Sequence, residues 1–251
     1  MLTDSAILQH YKGYEELISR LDDYVYQAER YQKARLTPFL RLNEIEVVRR
    51  YLGERIPYYF DGGYENAEMK RAVIGSLDAD SEVVCLCADI SNRMMKIEHR
   101  DLYGALMHLS IRREQFGDVF IKDGTAVIYT TKEIANVITD QLTQIGRQQV
   151  SFTLSAEPVE NDVRLQEFQR SVANYRLDAI VAAMANISRE KAQALIKGKQ
   201  VSINHEICEA VAHGCADHDV ISIRGSGRFV ILETVNVTKK NRFMIRYGKY
   251  I

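Results

Sequence analysis

Apolar residues recur with helical spacing near the start of the chain. Tyr14, Leu17, Ile18, Leu21, Tyr24, Val25 and Ala28 stand at offsets 0, 3, 4, 7, 10, 11 and 14, drawing one stripe along an amphipathic helix. A second helix is expected after Asn43, a good N-cap, with Glu44 and Glu46 in its first turn and Gly53 at its end. Residues 1–70 therefore read as a helical region. Its tyrosines could offer stacking faces to RNA bases, but their place on the stripe favours the core. Gly62-Gly63-Tyr64 marks a turn.

The period then shortens. Residues 70–76 and 83–90 read as strands, and Leu102, Ala105, Leu106 and Leu109 as a helix. Strands at 119–122 and 126–130 flank Asp123-Gly124, a two-residue hairpin signal. Ile134, Val137, Ile138, Leu142 and Ile145 suggest another helix, and 149–154 a last strand. The order β-β-α-β-β-α-β over residues 71–155 predicts a small α+β domain, a class that includes RRM-like and ferredoxin-like folds. Residues 156–170 are polar and read as a linker. The remainder, 171–251, begins with a short helix carrying Leu177, Ile180, Val181 and Met184. Ser188 is positioned to cap the next helix, which buries Ala192, Leu195 and Ile196 and stops at Gly198, expected at C′. Val201, Ile203 and Ile207, then Ile221 and Ile223, alternate as strands before Gly225-Ser226-Gly227. The fold class is thus α+β, with a helical region, a small sheet domain and a C-terminal helix-helix-strand domain.

Composition adds little except through the distribution of charge. The 251 residues are 46% hydrophobic and 27% charged, ordinary for a globular chain. No apolar run approaches the roughly 18 residues of a membrane span, and the start, Met1-Leu2-Thr3-Asp4, lacks a secretory pattern. With four cysteines, Cys85, Cys87, Cys208 and Cys215, the expectation is reduced thiols and a cytoplasmic location. The net charge of −1 hides an asymmetry: from Ser171 onward 12 Lys+Arg face 7 Asp+Glu, a net of +5 on an acidic body. A basic terminal third is the footprint of a polyanion-binding module, although a solvated face reads the same way.

Within that third, Arg189 and Lys191 occupy the first turn of a helix, where cations oppose the helix dipole. A phosphate at that N-terminus, contacted also by Ser188 and free backbone N–H groups, would explain them. The candidate RNA-binding set is Arg176, Ser188, Arg189, Lys191, Lys197, Lys199, Asn204, Arg224, Arg228, Lys239, Lys240 and Arg242, with Arg246 adding basic content. Arg112 and Arg113, beside Glu114, Gly117 and Asp118, form either a second RNA contact or an Arg–carboxylate pair that fixes a tight loop.

Other motifs lead nowhere. His99-Arg100-Asp101-Leu102 mimics a kinase catalytic loop, but Leu106 stands where an asparagine is required. Cys85-x-Cys87 has no second cysteine pair and reads as core. His205, Cys208, His213, Cys215 and His218 match no zinc spacing. No catalytic residue, metal or cofactor is assigned.

Several submotifs in order resemble the S4 (αL-type) RNA-binding domain: Arg176-Leu177-Asp178-x-Ile180, Ser188-Arg189-x-x-Ala192-x-x-Leu195-Ile196-x-Gly198-x-x-Val201-x-Ile203-Asn204, and Asp219-x-Ile221-Ser222-Ile223-Arg224-Gly225. His205 and His218 replace the glycines usual at two turns. With Gly62-Gly63-Tyr64-x-x-Ala67-Glu68, Leu106-x-x-Leu109-x-Ile111-x-Arg113-Glu114-x-x-Gly117-Asp118 and Thr238-Lys239-Lys240-Asn241-Arg242, the whole chain resembles the YlmH family of bacterial S4 proteins. That resemblance implies a non-catalytic protein binding rRNA and tRNA on the large ribosomal subunit, acting in ribosome-associated quality control of stalled peptidyl-tRNA complexes. It implies no membrane and no DNA partner. The rival readings are an RNA-modifying enzyme of pseudouridine-synthase type and a cell-division-linked adaptor. Arg176 and Arg189, taken as exposed, are expected to carry much of the RNA affinity and little of the stability, the alternative being that Arg176 only pairs with Asp178 or another carboxylate.

Overall fold

The computed structural model describes residues 11, 13–91, 97–162, 164–204, 206–237 and 242–251. Contacts divide the chain into two compact units, Met1–Asn161 and Asp162–Ile251, where the sequence suggested three parts and a linker.

The first unit opens with helix α1, Glu15–Tyr31, whose stripe is realised: Leu17, Ile18, Leu21, Val25 and Ala28 are buried. Helix α2, Leu42–Leu52, starts one residue before the expected cap. Arg41 is the N-cap residue, and its N–H donates to the Glu44 carboxylate at 2.8 Å. Asn43 lies inside the helix and donates instead to the Tyr14 hydroxyl at 2.8 Å. The region is not purely helical. Strands β1, Arg35–Leu36, and β2, Tyr58–Asp61, flank β3, Arg71–Ile74, in an antiparallel sheet ordered β1-β3-β2. Thus β3, read as the first strand of the middle domain, belongs to the N-terminal sheet. Ala72 and Ile74 pack into the core of α1 and α2.

The next sheet is ordered β5-β6-β4-β9, from β4, Val83–Asp89, β5, Phe116–Lys122, β6, Thr125–Thr131, and the short β9, Thr153–Leu154. Asp123 and Gly124 both take positive φ, 49° and 78°, in the tight turn of the β5–β6 hairpin. Strand alternation assigns the two faces. Leu86, Ala88, Ala126 and Ile128 meet helices α3, His99–His108, and α4, Lys132–Gln141. Cys85, Val127 and Tyr129 meet Tyr64 and Ala67 on the other side. The α4 stripe ends early, and Ile145 lies in a separate small hairpin, β7, Gln144–Ile145, with β8, Gln148–Gln149. Glycine is required at Gly63: φ is 91°, and a Cβ would stand 2.5 Å from the Tyr129 ring.

Asp118 fastens this second layer. Its carboxylate accepts from the Tyr64 hydroxyl at 2.6 Å, from Glu68 N–H at 2.7 Å and from Met69 N–H at 3.1 Å. Burial pushes its pKa up, against the pull of those donors.

The second unit is a six-stranded antiparallel sheet ordered β10-β15-β14-β13-β11-β12. It comprises β10, Leu165–Val172, β11, Val201–Ile203, β12, Glu206–Ile207, β13, Val220–Ile223, β14, Gly227–Val237, and β15, Phe243–Tyr250. Residues 165–170, read as linker, are strand: β10 pairs with β15 along its whole length. Its polarity reflects an edge position with one solvated side. Helices α5, Leu177–Ala185, and α6, Arg189–Lys197, share a core with Ile221, Ile223, Phe229, Ile231, Ile245 and Tyr247. Ile207, expected to alternate into the core, is 63% exposed because β12 is the two-residue edge.

Replacing Asp118 by Ala leaves three donors without their acceptor. The expected loss is about 3 kcal/mol in urea unfolding. An unchanged midpoint would deny this carboxylate its fastening role.

Candidate nucleic-acid interface

The S4-like residues converge on one buried carboxylate. Arg176 is extended (φ −75°, ψ 144°) and leads into α5, placing Asp178 in the first turn. There an acidic side chain complements the helix dipole. Loop carbonyls take the turn's N–H groups, Leu177 donating to His213 at 2.8 Å and Asp178 to Val211 at 3.2 Å. Asn186, in the left-handed conformation at φ 55°, ends α5. Ser188 caps α6 as predicted, its hydroxyl accepting from Lys191 N–H at 3.2 Å. Arg189 is the first residue of α6, so the turn between the helices delivers it to Asp178.

The Asp178 side chain is 0% exposed, whereas those of Arg176 and Arg189 are 41% and 46% exposed. Arg189 grips the carboxylate bidentately, Nε and Nη2 each at 3.0 Å. Arg176 donates through Nε at 3.2 Å and Nη2 at 3.3 Å. Gln193, one turn beyond Arg189 in α6, donates through Nε2 at 2.9 Å. Burial alone would raise the Asp178 pKa, but the hydrogen bonds from Arg189, Arg176 and Gln193 outweigh it and hold the group well below the usual carboxylate range. The expectation of two exposed arginines with little structural role is therefore corrected. Each guanidinium spends one edge on a buried anion, and removing either leaves that anion underpaired. In both, Nη1 makes no hydrogen bond among the described residues, so two oriented cationic edges remain for a ligand.

Arg189, Gln193 and Lys197 fall on one stripe of α6, at i, i+4 and i+8, and Lys191 and Lys197 are exposed. Gly198 ends the helix with φ −80°, so the left-handed residue is Lys199, at φ 57°, one place later than predicted. A side chain at 198 would bring a Cβ to 3.1 Å from the Ala194 carbonyl oxygen. Lys199 pairs with Glu209 at 3.2 Å. The Arg224 N–H donates to Gln200 O at 2.9 Å, which joins the β13 end to the α6 exit. Lys199, Ser202, Ile207, Ser222 and Arg224 line an open groove of about 420 Å³.

Other candidates are committed elsewhere. The Asn204 amide is nearly buried, donating to Asp219 at 2.9 Å and accepting from Val220 N–H at 2.8 Å. Arg228 lies over the Tyr250 ring at 4.6 Å. Arg242 donates to Ser171 Oγ at 2.8 Å and O at 2.9 Å, and Arg246 pairs with Glu167 and Glu233. Lys239, Lys240 and His205 lie outside the described residues. His218 takes φ 71° at the place of the usual glycine.

In the first unit, Arg112 is 74% exposed and paired with Glu114 at 3.0 Å. Arg113 is largely buried. It donates to Phe116 O at 2.6 Å and stacks 4.7 Å over that ring, so it fixes the loop through carbonyls and a ring, with no carboxylate bound among the described residues. The kinase-like tetrapeptide is the start of α3, where Asp101 accepts from Glu98 N–H at 2.9 Å. Cys85 and Cys87 lie with Sγ atoms 3.9 Å apart, and burial pushes the Cys85 thiol up to about 11.

Sequence reasoning missed Gln193 as a ligand of the buried acid. The available signal was its i+4 spacing from Arg189. It also passed over Gln200 and Ser202, which line the groove and carry no charge.

Two family models match the chain: "Putative RNA-binding domain in YlmH" over residues 77–160 and "S4 domain" over 176–221. The chain is 28% identical over 258 positions to "Ribosome-associated protein quality control protein P2" of Bacillus subtilis (strain 168), covering 98% of this chain and 99% of that protein. It is similar in fold to "Cell division protein ylmH from Streptococcus pneumoniae", with a TM-score of 0.51 and 17% identity over 57% of this chain and 92% of the other.

Because folding depresses the Asp178 pKa, its stabilising contribution is complete above the unfolded value of about 3.9 and drains away as pH falls toward the lower folded value. Asp178→Asn is expected to be less stable than wild type at pH 7, with the gap narrowing below about pH 4. Denaturant midpoints from pH 7 to 2 measure this, and parallel curves would show that the carboxylate is not coupled to folding.

Proposed function

We propose that the chain, which resembles the YlmH family of S4-domain proteins, acts on the large ribosomal subunit, binding rRNA and tRNA without chemical change to either, in quality control of stalled peptidyl-tRNA complexes. The observation that carries this reading is the Arg176–Asp178–Arg189 cluster inside the S4 segment. A buried anion holds two guanidinium planes in fixed orientation with one edge of each turned to solvent, and the stripe of Lys197 and the edge of Lys199 and Arg224 extend the positive surface. Planar, preoriented guanidiniums suit phosphate, and their ordering cost is met during folding. Lysines on α6 add a less directional attraction to a polyanion.

Ribosome association in the B. subtilis relative, by its name, supports the ribosomal setting. The RNA-modifying alternative would need a base or nucleophile facing the RNA. The perturbed groups Asp118, Cys85 and Cys215 are instead buried among structural partners. Nucleoside mass spectrometry of RNA incubated with the protein is expected to show no new mark.

The protein is expected to co-sediment with large subunits, with log K falling against log salt at a slope of about −3 to −5 for roughly five neutralised phosphates. Arg189→Ala is expected to weaken binding by about tenfold, equivalent to about 1.4 kcal/mol, and Arg189→Lys to restore it only partly. Co-sedimentation that ignores salt, or an Arg189→Ala protein that remains folded and binds as tightly as wild type, would refute the assignment.

A further inference from the structure

A cavity of about 290 Å³ lies in the first unit, between α1, residues 37–44 and residues 112–114. Four arginines line it, Arg20, Arg41, Arg112 and Arg113, against two carboxylates, Glu44 and Glu114. Both acids are engaged: Glu44 accepts from Arg41 N–H at 2.8 Å, and Glu114 pairs with Arg112 at 3.0 Å. The lining therefore carries a net of two positive charges. The Arg20 Nε is shielded from solvent and has no hydrogen-bond partner among the described residues. A buried guanidinium nitrogen without an acceptor is costly, and a ligand oxygen would meet the need. Arg113 has its pKa lowered by burial and, further, by the cation of Arg41. Structural economy would not gather like charges around a void; an anion would relieve both the repulsion and the missing acceptor. Leu17 and Phe39 form apolar wall, which strengthens any charge pairing inside.

We propose that this cavity binds a phosphate group through Arg20, Arg41 and Arg112, with Arg113 holding the loop that presents Arg112. The volume admits one phosphate or a diphosphate moiety and excludes a folded polymer, so an RNA would enter only by its backbone or terminal phosphate. The site belongs to the first unit and does not rest on the reading of the S4 cluster.

The test is titration of the full chain with inorganic pyrophosphate at constant ionic strength, followed by calorimetry. Wild type is expected to bind saturably. Arg20→Gln is expected to weaken binding at least fivefold, Arg112→Gln somewhat less, and Glu114→Gln to tighten it about threefold by removing a competing anion. In an Arg189→Ala background, where the S4 arginines no longer hold phosphate, saturable pyrophosphate binding that Arg20→Gln weakens is still expected, which separates this site from the S4 surface. A parallel titration with ribosomal RNA identifies the source of the phosphate. If Arg20→Gln also weakens RNA binding, the phosphate belongs to RNA; if RNA binding is unchanged while pyrophosphate binding is lost, it belongs to a small phosphate ester. If Arg20→Gln melts below wild type, the sign of the Glu114→Gln effect decides. No saturable binding by wild type, or arginine variants that bind as wild type with Glu114→Gln no tighter, overturns the proposal.

Discussion

The buried charge of Asp178 is the constraint on which the basic end of the second unit depends. A carboxylate with no solvent exposure needs donors, and the five hydrogen bonds it receives come from residues 176, 189 and 193. Meeting that need fixes the entry to α5, the turn at Asn186 and the start of α6 together. The same bonds orient the two guanidiniums. Structural and binding roles are therefore not alternatives at this cluster: the anion that requires the arginines is also what prepares them. An isolated surface arginine would have to surrender rotamer freedom on meeting a phosphate, whereas these have lost it during folding.

Asp118 plays a comparable part in the first unit, with backbone donors in place of arginines. It ties residues 64–69 to β5, closes the second face of the β5-β6-β4-β9 sheet, and explains why Gly62-Gly63-Tyr64 and Gly117-Asp118 occur in one chain although 54 residues separate Tyr64 from Asp118. Gly117 fits the same junction, since a Cβ there would lie 2.7 Å from the Phe39 ring. The three apolar clusters of this unit are thus joined by a small number of close approaches, and the chain passes residue 70 inside one compact unit.

The basic surface of the second unit is uneven in kind. Arg176 and Arg189 are directional donors held on a rigid base. Lys191 and Lys197 are exposed point charges on a helix, and Lys199 is already shared with Glu209. Arg228, Arg242 and Arg246 contribute charge but spend their donors or their planar faces on the sheet. Net charge counts all of these equally, while geometry separates groups able to meet a phosphate at full strength from groups that only raise the local potential.

Local patterns alone determined much of the architecture. The α1 stripe, the Asp123-Gly124 hairpin, the Ser188 cap and the alternating strand at 220–223 depend on interactions within a few residues, and those rules act wherever the chain goes. The charge asymmetry and the S4-like spacing likewise pointed to the surface around Arg189. Three things were decided only by the tertiary structure. Strand β3 joined β1 and β2 because partner choice among strands is a long-range matter that its own apolar run does not encode. The polar 165–172 became an edge strand because β15, some eighty residues later, supplied its hydrogen bonds. The arginines at 176 and 189 became parts of one site because folding buried Asp178 between them; their sequence separation says nothing of that, whereas the cost of an unpaired buried charge requires it.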